Sequence, residues 1–327
     1  MLCKLALENH GFVYPMIVPL SNNLGPSLSN PTILISKNNE ILINLRNLNY
    51  VLYHSESGLF EHSWGPLCYL HEENNQRLVT NNILCKLNNN FQIISHNIID
   101  TTFLDEDPIW EFVGLEDGRL VEWGDKLFLS GVRRDTTTNG VGRMELSEIV
   151  YKKDKVIEKS RFRIPAPGQD DSYCEKNWMP ILDKPYTYIK WTNPTEVVEV
   201  DPLTKTCKTI ILTEYKSLGI NYDLRGGSQV IPFNGYYLAV VHEVDLYKSE
   251  AGKKNANYRH RFVVWNKNLE LIEASESFGF MGAKIEFCCG LAEFEDKLLI
   301  TFGFQDNAAY ILGMPKTLLG KFLKTYE

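Results

Sequence analysis

Glu116, Asp117 and Arg119 stand at the head of a short alternating apolar stretch that runs from Val113 to Trp123, VGLEDGRLVEW. Carboxylates and guanidinium groups are costly to place inside an ordinary strand. A lone acidic pair at a strand start reads as a solvated turn; the same arrangement repeated along a chain reads as a site. One carboxyl of such a pair can serve as a general acid if its surroundings are dry enough to keep it protonated near neutral pH. A guanidinium beside it clamps oxyanions bidentately.

The elements that must carry these groups are strands. Long helical periodicity is scarce. Instead, a short strand, a turn-forming pair and a second alternating strand recur five times: NPTILIS with NNEILINLR, GLEDGRLVEW with GDKLFLSG, EKNWMPIL with KPYTYIKW, RGGSQVIPF with NGYYLAVVHE, and FCCGLAEF with EDKLLITFG. Their turns fall roughly 50 to 90 residues apart, room for about four strands each, and such regular hairpins suggest a propeller. The predicted fold is therefore all-β, a single five-bladed propeller over residues 1–327 with a central axial pocket. The tail PKTLLGKFLKTYE is predicted as a short amphipathic helix packed on the base of the ring, and KSEAGKKNANYRHR as a hairpin tip or flap.

The polar residue opening each first strand and the one ending each second strand lie 15 to 17 positions apart: Asn30 and Arg46, Glu116 and Arg133, Glu175 and Lys190, Arg225 and His242, and, with Cys289 at its start, Asp306. An antiparallel hairpin returns its second strand to the level where the first began, so these ends should meet at one mouth of the channel. That mouth would gather Glu116 and Asp117 with Arg119, Arg133, Arg134, Lys176, Arg225 and His242. Several cations around one or two carboxylates suit a phosphate or phosphosugar bound beside a general acid. Trp178, Tyr188, Trp191, Tyr222 and Tyr258 offer faces on which sugars stack, or else pack the core. His260 is either a phosphate contact or a strand histidine. The adjacent Cys288 and Cys289 read as buried filling.

The bulk numbers exclude several classes. With 34 basic and 41 acidic residues the chain has a formal charge of -7, against the basic face that nucleic acid calls for. No apolar run approaches the ~18 residues needed to span a bilayer, and MLCKLALENHGF lacks a signal-peptide pattern. Seven irregularly spaced cysteines without C-x-x-C suggest free thiols in a reducing compartment and no zinc site. Both N-x-S/T matches, at Asn30 and Asn193, are blocked by Pro. These features predict a cytoplasmic protein without a membrane span, of undetermined oligomeric state. Nucleotide-binding glycine loops, H-E-x-x-H and G-x-S-x-G are all missing.

The order of NP, G-x-E-D-G-R, KN, YLAVVHE, IEFCCGL and ITFGFQD resembles family 130 of the glycoside hydrolases, from about Asn30 to Asp306. This family comprises β-mannoside phosphorylases and related hydrolases, with mannosyltransferases of the same fold. The resemblance implies a five-bladed propeller. It implies that Asp117 is the catalytic acid, passing its proton through a hydroxyl of the bound sugar while phosphate attacks the anomeric carbon from the opposite face with inversion. Glu116 is kept as the neighbouring candidate. Arg119 matches the motif's Arg, Lys176 and His242 match phosphate-binding positions, and Asp306 matches the Asp of the closing strand. Asn30, Arg46, Asn177 and Arg225 join the predicted substrate site, and a further Arg comes from Arg133, Arg134 or Arg143. Gly118 stands where the family has Pro, which marks a divergent branch. Three readings follow: a phosphorylase of a β-mannoside-like glycoside, a nucleotide-sugar-dependent glycosyltransferase, or a non-catalytic glycan-binding propeller. No cofactor or metal is expected; inorganic phosphate or a phosphate-bearing sugar donor would be a substrate, with a sugar or oligosaccharide as its partner.

Overall fold

The computed structural model describes residues 1–19, 24–54, 67–70, 77–137, 140–169, 174–248 and 254–327. Its strands pair into five four-stranded antiparallel units. The first takes Ser27–Ile35, Ile41–Leu48, Leu78–Leu87 and Ile93–Asp100; the second takes Glu116–Trp123, Lys126–Arg133, Arg143–Lys152 and Lys155–Arg163. The third holds Met179–Pro180, Thr187–Trp191, Glu196–Asp201 and Thr206–Leu212, and the fourth Ile231–Phe233, Tyr236–Lys248, Lys254–Trp265 and Leu271–Ala274. Glu286–Phe294, Lys297–Phe304 and Ala308–Pro315 form the fifth, completed by Phe12–Pro15 from the N-terminus. A short parallel contact of Val156 and Ile157 with Ile99 and Asp100 joins the outer edges of the first two units.

Five apolar clusters run round the ring, one between each pair of neighbouring units. Leu34, Leu84, Leu120 and Leu129 fill the first interface, Trp123, Tyr188 and Trp178 the next, and Ile189, Val241 and Trp265 the third. Phe262, Phe280, Phe302 and Leu312 fill the fourth, and Ile33, Ile43, Leu299 and Ile311 close the circle. Burial falls from the axis outward. Ile41–Leu48 is buried at every position, whereas Thr206–Leu212 on an outer edge is mostly exposed. A strand packed on both faces reads as a near-continuous apolar run, which is why ILINLRNL alternates so little.

The axis itself is pinned by Gln229, which is fully buried. Its Nε2 donates to Thr32 Oγ1 at 3.0 Å, to the carbonyl of Ile33 at 2.8 Å and to that of Leu120 at 2.9 Å, while its Oε1 accepts the N–H of Leu291 at 3.1 Å. One amide thus ties the fourth unit to the first, second and fifth. The two glycines just before it allow this approach. A Cβ on Gly226 would lie 1.9 Å from the carbonyl oxygen of Asn177, and one on Gly227 would lie 2.3 Å from that of Val240.

One expectation is corrected. The tail forms two short 3-10 turns, Lys316–Lys321 and Lys324–Tyr326, instead of an amphipathic α-helix; Leu318, Leu319 and Leu323 still pack into the core between the fourth and fifth units. The ring closes through strand pairing instead, since Phe12–Pro15 registers against Tyr310–Gly313. Of the two readings of KSEAGKKNANYRHR, the hairpin is the one found: its strands pair out to Lys248 and Lys254, and residues 249–253 lie outside the described residues. No helix among the described residues is long and apolar enough to cross a membrane.

Gln229→Met keeps the side-chain length but takes away the hydrogen bonds to the Ile33 and Leu120 carbonyls, to the Leu291 N–H and to Thr32 Oγ1, which retains only the long 3.3 Å contact from the Leu120 N–H. Each buried unsatisfied polar group costs ~1–3 kcal/mol. The variant is expected to lose several kcal/mol of unfolding free energy, about 3 or more, measured as a fall in the urea midpoint.

Candidate active site

The hairpin ends meet in the first, second and fourth units. In the fifth, Cys289 lies inside the strand near Phe302 and Thr301, so Glu286 and not Cys289 marks the end opposite Phe304, because the strand runs three residues further towards the rim than the spacing predicted. Arg225 and His242 pair through reciprocal backbone hydrogen bonds of 2.8 and 2.9 Å, Ser29 registers with Arg46, Glu116 with Val132, and Glu286 with Phe304. Polar residues at this rim hold left-handed backbone, among them Asn30 (φ 41°), Asp117 (φ 51°), Asn177 (φ 60°), Gln305 (φ 53°) and Asp306 (φ 50°). Asn and Asp tolerate this region better than other side chains. Such strained positions gathered at one rim motivate a functional reading.

Asp117 is the centre of the constellation. Its Oδ1 accepts from Asn30 Nδ2 at 2.7 Å and from Arg46 Nη1 at 2.9 Å. Arg46 Nη2 lies 3.3 Å from Glu116 Oε2 and also donates to Tyr50 Oη at 3.2 Å, while its Nε rests on Thr80 Oγ1 at 3.2 Å. Ser29 Oγ donates to Asp306 Oδ1 at 3.1 Å. The side chains of Glu116 and Asp117 keep 15% and 18% of their surface open, so a ligand can reach both.

The three carboxyls are tuned apart. Burial pushes Asp117 up, but Arg46, Arg119, the Asn30 amide and Lys176 together outweigh it and hold it below the usual carboxylate range. Burial raises Glu116, against the pull of Arg46, and the charge of Asp117 adds to the rise. Burial likewise raises Asp306, with the Asp117 charge again adding. The upward shift expected of the acid at Asp117 is therefore found on its neighbours Glu116 and Asp306 instead, because Arg46 and Asn30 both spend their shortest contacts on Asp117.

The predicted cations divide into two groups. Lys176 is exposed and Arg225 half-buried, with no side-chain hydrogen bond or ion pair given to either among the described residues. Both line a cavity of about 360 Å³ between the third unit and the strand entering the fourth, together with Asn177 and the half-buried Trp191. Arg134 stands at the rim, its guanidinium 4.6 Å from the Phe112 ring and its charge acting on Glu116.

The others are committed elsewhere. Arg119 is fully buried; its Nε donates to the carbonyl of Gly227 at 2.9 Å and its Nη1 to that of Asp117 at 2.7 Å, with a long 3.5 Å contact to Asn177 Oδ1. It braces the loop of Asp117 instead of presenting a clamp. Arg133 points away into a buried network with Glu145 at 2.6 Å and Asp135 at 3.2 Å. Arg143 is buried and donates to the carbonyl of Gly142. Of the three arginines left open by the sequence, Arg134 is the one beside the carboxyls. Arg46 is an ion-pair partner of the carboxylates.

His242 is almost fully buried, stacked on Tyr258 with centroids 5.7 Å apart and edge-on to Phe287, and its Nδ1 has no partner among the described residues. Burial, then His260, Arg225, Arg119 and Lys176, depress its pKa far below the usual histidine range. It meets a ligand as a neutral imidazole. His260, directly across the ladder, is completely buried against Phe278 and Phe280; burial and Arg259 lower it to about 3. It is not a surface phosphate contact. Trp178 and Tyr188 are core, while Tyr222 is exposed. Cys288 and Cys289 are buried thiols.

No family profile matches the chain, and no curated protein sequence is significantly similar to it. Solved structures are. The β-1,2-mannobiose phosphorylase of Listeria innocua, in complex with β-1,2-mannobiose, superposes with a TM-score of 0.57 at 12% identity over 96% of this chain and 99% of the other. A mannose phosphorylase from Leishmania mexicana, in complex with phosphate ion, gives 0.53 at 10% identity over 98% and 95%. The fold is that of the mannoside phosphorylases. It is shared by a GDP-Man-dependent mannosyltransferase from Leishmania mexicana, at a TM-score of 0.50 and 13% identity over 90% of this chain and 87% of that one. The resemblance read from the ordered motifs and the likeness of the folds agree over most of the chain.

The buried histidines make a prediction. A histidine held neutral in the fold but free to protonate when unfolded stabilises the protein above its unfolded pKa, ~6.5. That stability is lost as pH falls towards the folded value, because the unfolded chain then binds the extra proton. Each such group contributes a slope of up to ~1.4 kcal/mol per pH unit. His260→Phe should flatten the stability–pH curve by about one proton between roughly pH 6 and 4, read by denaturant titrations at stepped pH.

Proposed function

We propose that this mouth performs inverting glycosyl transfer between a β-mannoside-like glycoside and a phosphate-bearing group. The observation that carries the reading is a partly open Asp117 carboxylate, oriented by Asn30 and Arg46 and within the field of Lys176, which with Arg225 lines a neighbouring cavity. Simple hydrolysis needs no anion clamp, and sugar binding alone needs no carboxylate held under such a field.

In this reading the anion enters over Lys176, Arg225 and Arg134, with neutral His242 as a hydrogen-bonding neighbour. Asp117 contacts a hydroxyl of the sugar and exchanges a proton with the glycosidic oxygen through it. In the ligand-free protein Asp117 is held ionised. An arriving phosphate brings negative charge against the cations that depress Asp117, and like charge raises a carboxyl's pKa. Anion binding thus supplies the acid with its proton affinity at the moment it is needed. No cofactor enters this scheme; the phosphate is a substrate.

A second reading, a nucleotide-sugar-dependent transferase, rests on the cavity beside Lys176 and Arg225. At about 360 Å³ and with Trp191 in its wall, it has space for more than a free phosphate. There the ionised Asp117 would take a proton from an acceptor hydroxyl. The deciding experiment offers phosphate with β-mannosides, mannose 1-phosphate with sugar acceptors, and nucleotide-linked mannose with the same acceptors, and reads products by mass. Turnover in none of them, with sugar binding retained, would leave a binding propeller.

Asp117→Asn should cut turnover by ~10²–10⁴ while ligand binding persists, and Glu116→Gln should cost far less. If Glu116→Gln is the more damaging, the acid has been assigned to the wrong carboxyl. For wild-type protein acting as a phosphorylase, activity falls as pH rises through the acid's pKa. That limb should lie at higher pH in kcat, which reports the loaded enzyme, than in kcat/KM, which reports the free one. Coincident limbs would sink the coupling. Lys176→Ala should raise KM for the anionic substrate with little change in Tm; a fall in Tm at constant KM would make Lys176 structural.

A further inference from the structure

A second cavity, of about 250 Å³, opens between the first and second units, away from the cations of the mouth. Ile99, Leu129 and Ile149 give it apolar walls, and Thr80, Asn82 and Asp135 give it polar ones. Asp135 is 3% exposed. Its Oδ2 accepts from the N–H of Gly114 at 2.8 Å and from Arg133 Nη1 at 3.2 Å, but its Oδ1 has no hydrogen-bond partner among the described residues. A buried carboxylate oxygen without a donor is expensive.

The two buried guanidinium groups of the wall are already engaged: Arg133 serves Glu145 and Asp135, and Arg161 serves Glu158 and Asp105, while Arg77 lines the cleft as an exposed residue. Whatever satisfies Oδ1 must therefore bring its own hydrogen. Along these walls Arg77, Arg133 and Arg161 face Asp105, Glu106, Asp135 and Glu158, so the cleft has no excess of positive charge to hold a second anion. No group of three or more metal-ligating side chains occurs among the described residues. What remains is a neutral molecule with hydroxyl donors and an apolar face. The volume falls just below the ~300–1,000 Å³ typical of drug-sized sites, which suits one ring.

The cavity also touches the candidate active site. Thr80 lines it, and the Thr80 hydroxyl carries Nε of Arg46, the residue whose Nη1 holds Asp117. One side chain separates the two sites. We propose that this cleft is a second carbohydrate subsite, taking a sugar ring of a longer glycan with a hydroxyl donated to Asp135 Oδ1 while the reacting unit lies at Asp117. The identity of the glycan as a mannoside rests on the function proposed above; the subsite itself rests on the cleft.

The test combines a structure with a length series. Wild-type crystals soaked with β-mannotetraose, and separately with a panel of other neutral oligosaccharides, should show a sugar ring in the cleft with a hydroxyl on Asp135 Oδ1. Asn81→Trp narrows the cleft from its wall without touching the Asp135 network. It should weaken binding of the tetraose by about tenfold, the size of one charge-assisted hydrogen bond, while binding of β-mannobiose stays within about twofold. Calorimetric titration reads both, with or without turnover. Ordered water alone in the cleft of every soak, or equal effects of Asn81→Trp on short and long ligands, overturns the subsite even if mannosides are turned over. A non-mannose ring in the cleft upholds it and instead removes the mannoside reading.

Discussion

Everything at the axis depends on Gln229. In a ring of radiating sheets the innermost strands converge where no neighbouring strand can satisfy their outward backbone groups. Two carbonyls, a threonine hydroxyl and a backbone N–H from three other units turn towards the centre, and a single primary amide answers all four. An apolar side chain would leave them unpaired in a dry place, and a charged one would add a desolvation cost. Arg119 extends the same logic one level closer to the mouth, joining the carbonyls of Gly227 and Asp117. The strained turn of Asp117 is therefore held by the same contacts that hold the ring, and the reacting carboxyl sits on the most constrained part of the molecule.

On that platform a single guanidinium differentiates the carboxyls. Glu116, Asp117 and Asp306 lie close enough for each charge to disfavour the next. Arg46 cannot serve all three equally. It gives Asp117 a 2.9 Å contact and Glu116 a 3.3 Å one, and Asn30 adds a second donor to Asp117. Ionisation concentrates on the best-served group, while burial pushes the other two towards their neutral forms. Pairs of carboxyls whose environments push their pKa values apart are the usual basis of acid–base division in a site. Arg46 itself is anchored from behind by Thr80 and Tyr50, so the tuning is built into the interface of the first two units.

Much of this is legible in the sequence. The five hairpins were visible because turn pairs and short apolar strands are local signals, and the rim residues followed because an antiparallel hairpin must return to its starting level. Arg225 and His242 meet for that reason alone. The closing strand Phe12–Pro15 was not legible: four residues without strong alternation gain their identity only from a free edge in the last unit, almost the whole chain away. The same limit applied to the cations. Arg119, Arg133 and Arg134 are alike in sequence, yet one is a fully buried brace, one is spent on Glu145, and one stays at the rim beside Glu116.

The sequence by itself determined the all-β character, the five hairpins and the level at which their ends lie, since each depends on residues within about 17 positions of one another. Tertiary structure decided which of those ends carry free charge. Whether a guanidinium binds a ligand or braces a loop depends on the acceptors brought near it by other units. Whether Asp117 is ionised depends on Arg46 and Asn30, 71 and 87 residues away. Local pattern records where a side chain stands along its own strand; charge and protonation are set by distances across the ring, which exist only once it has closed.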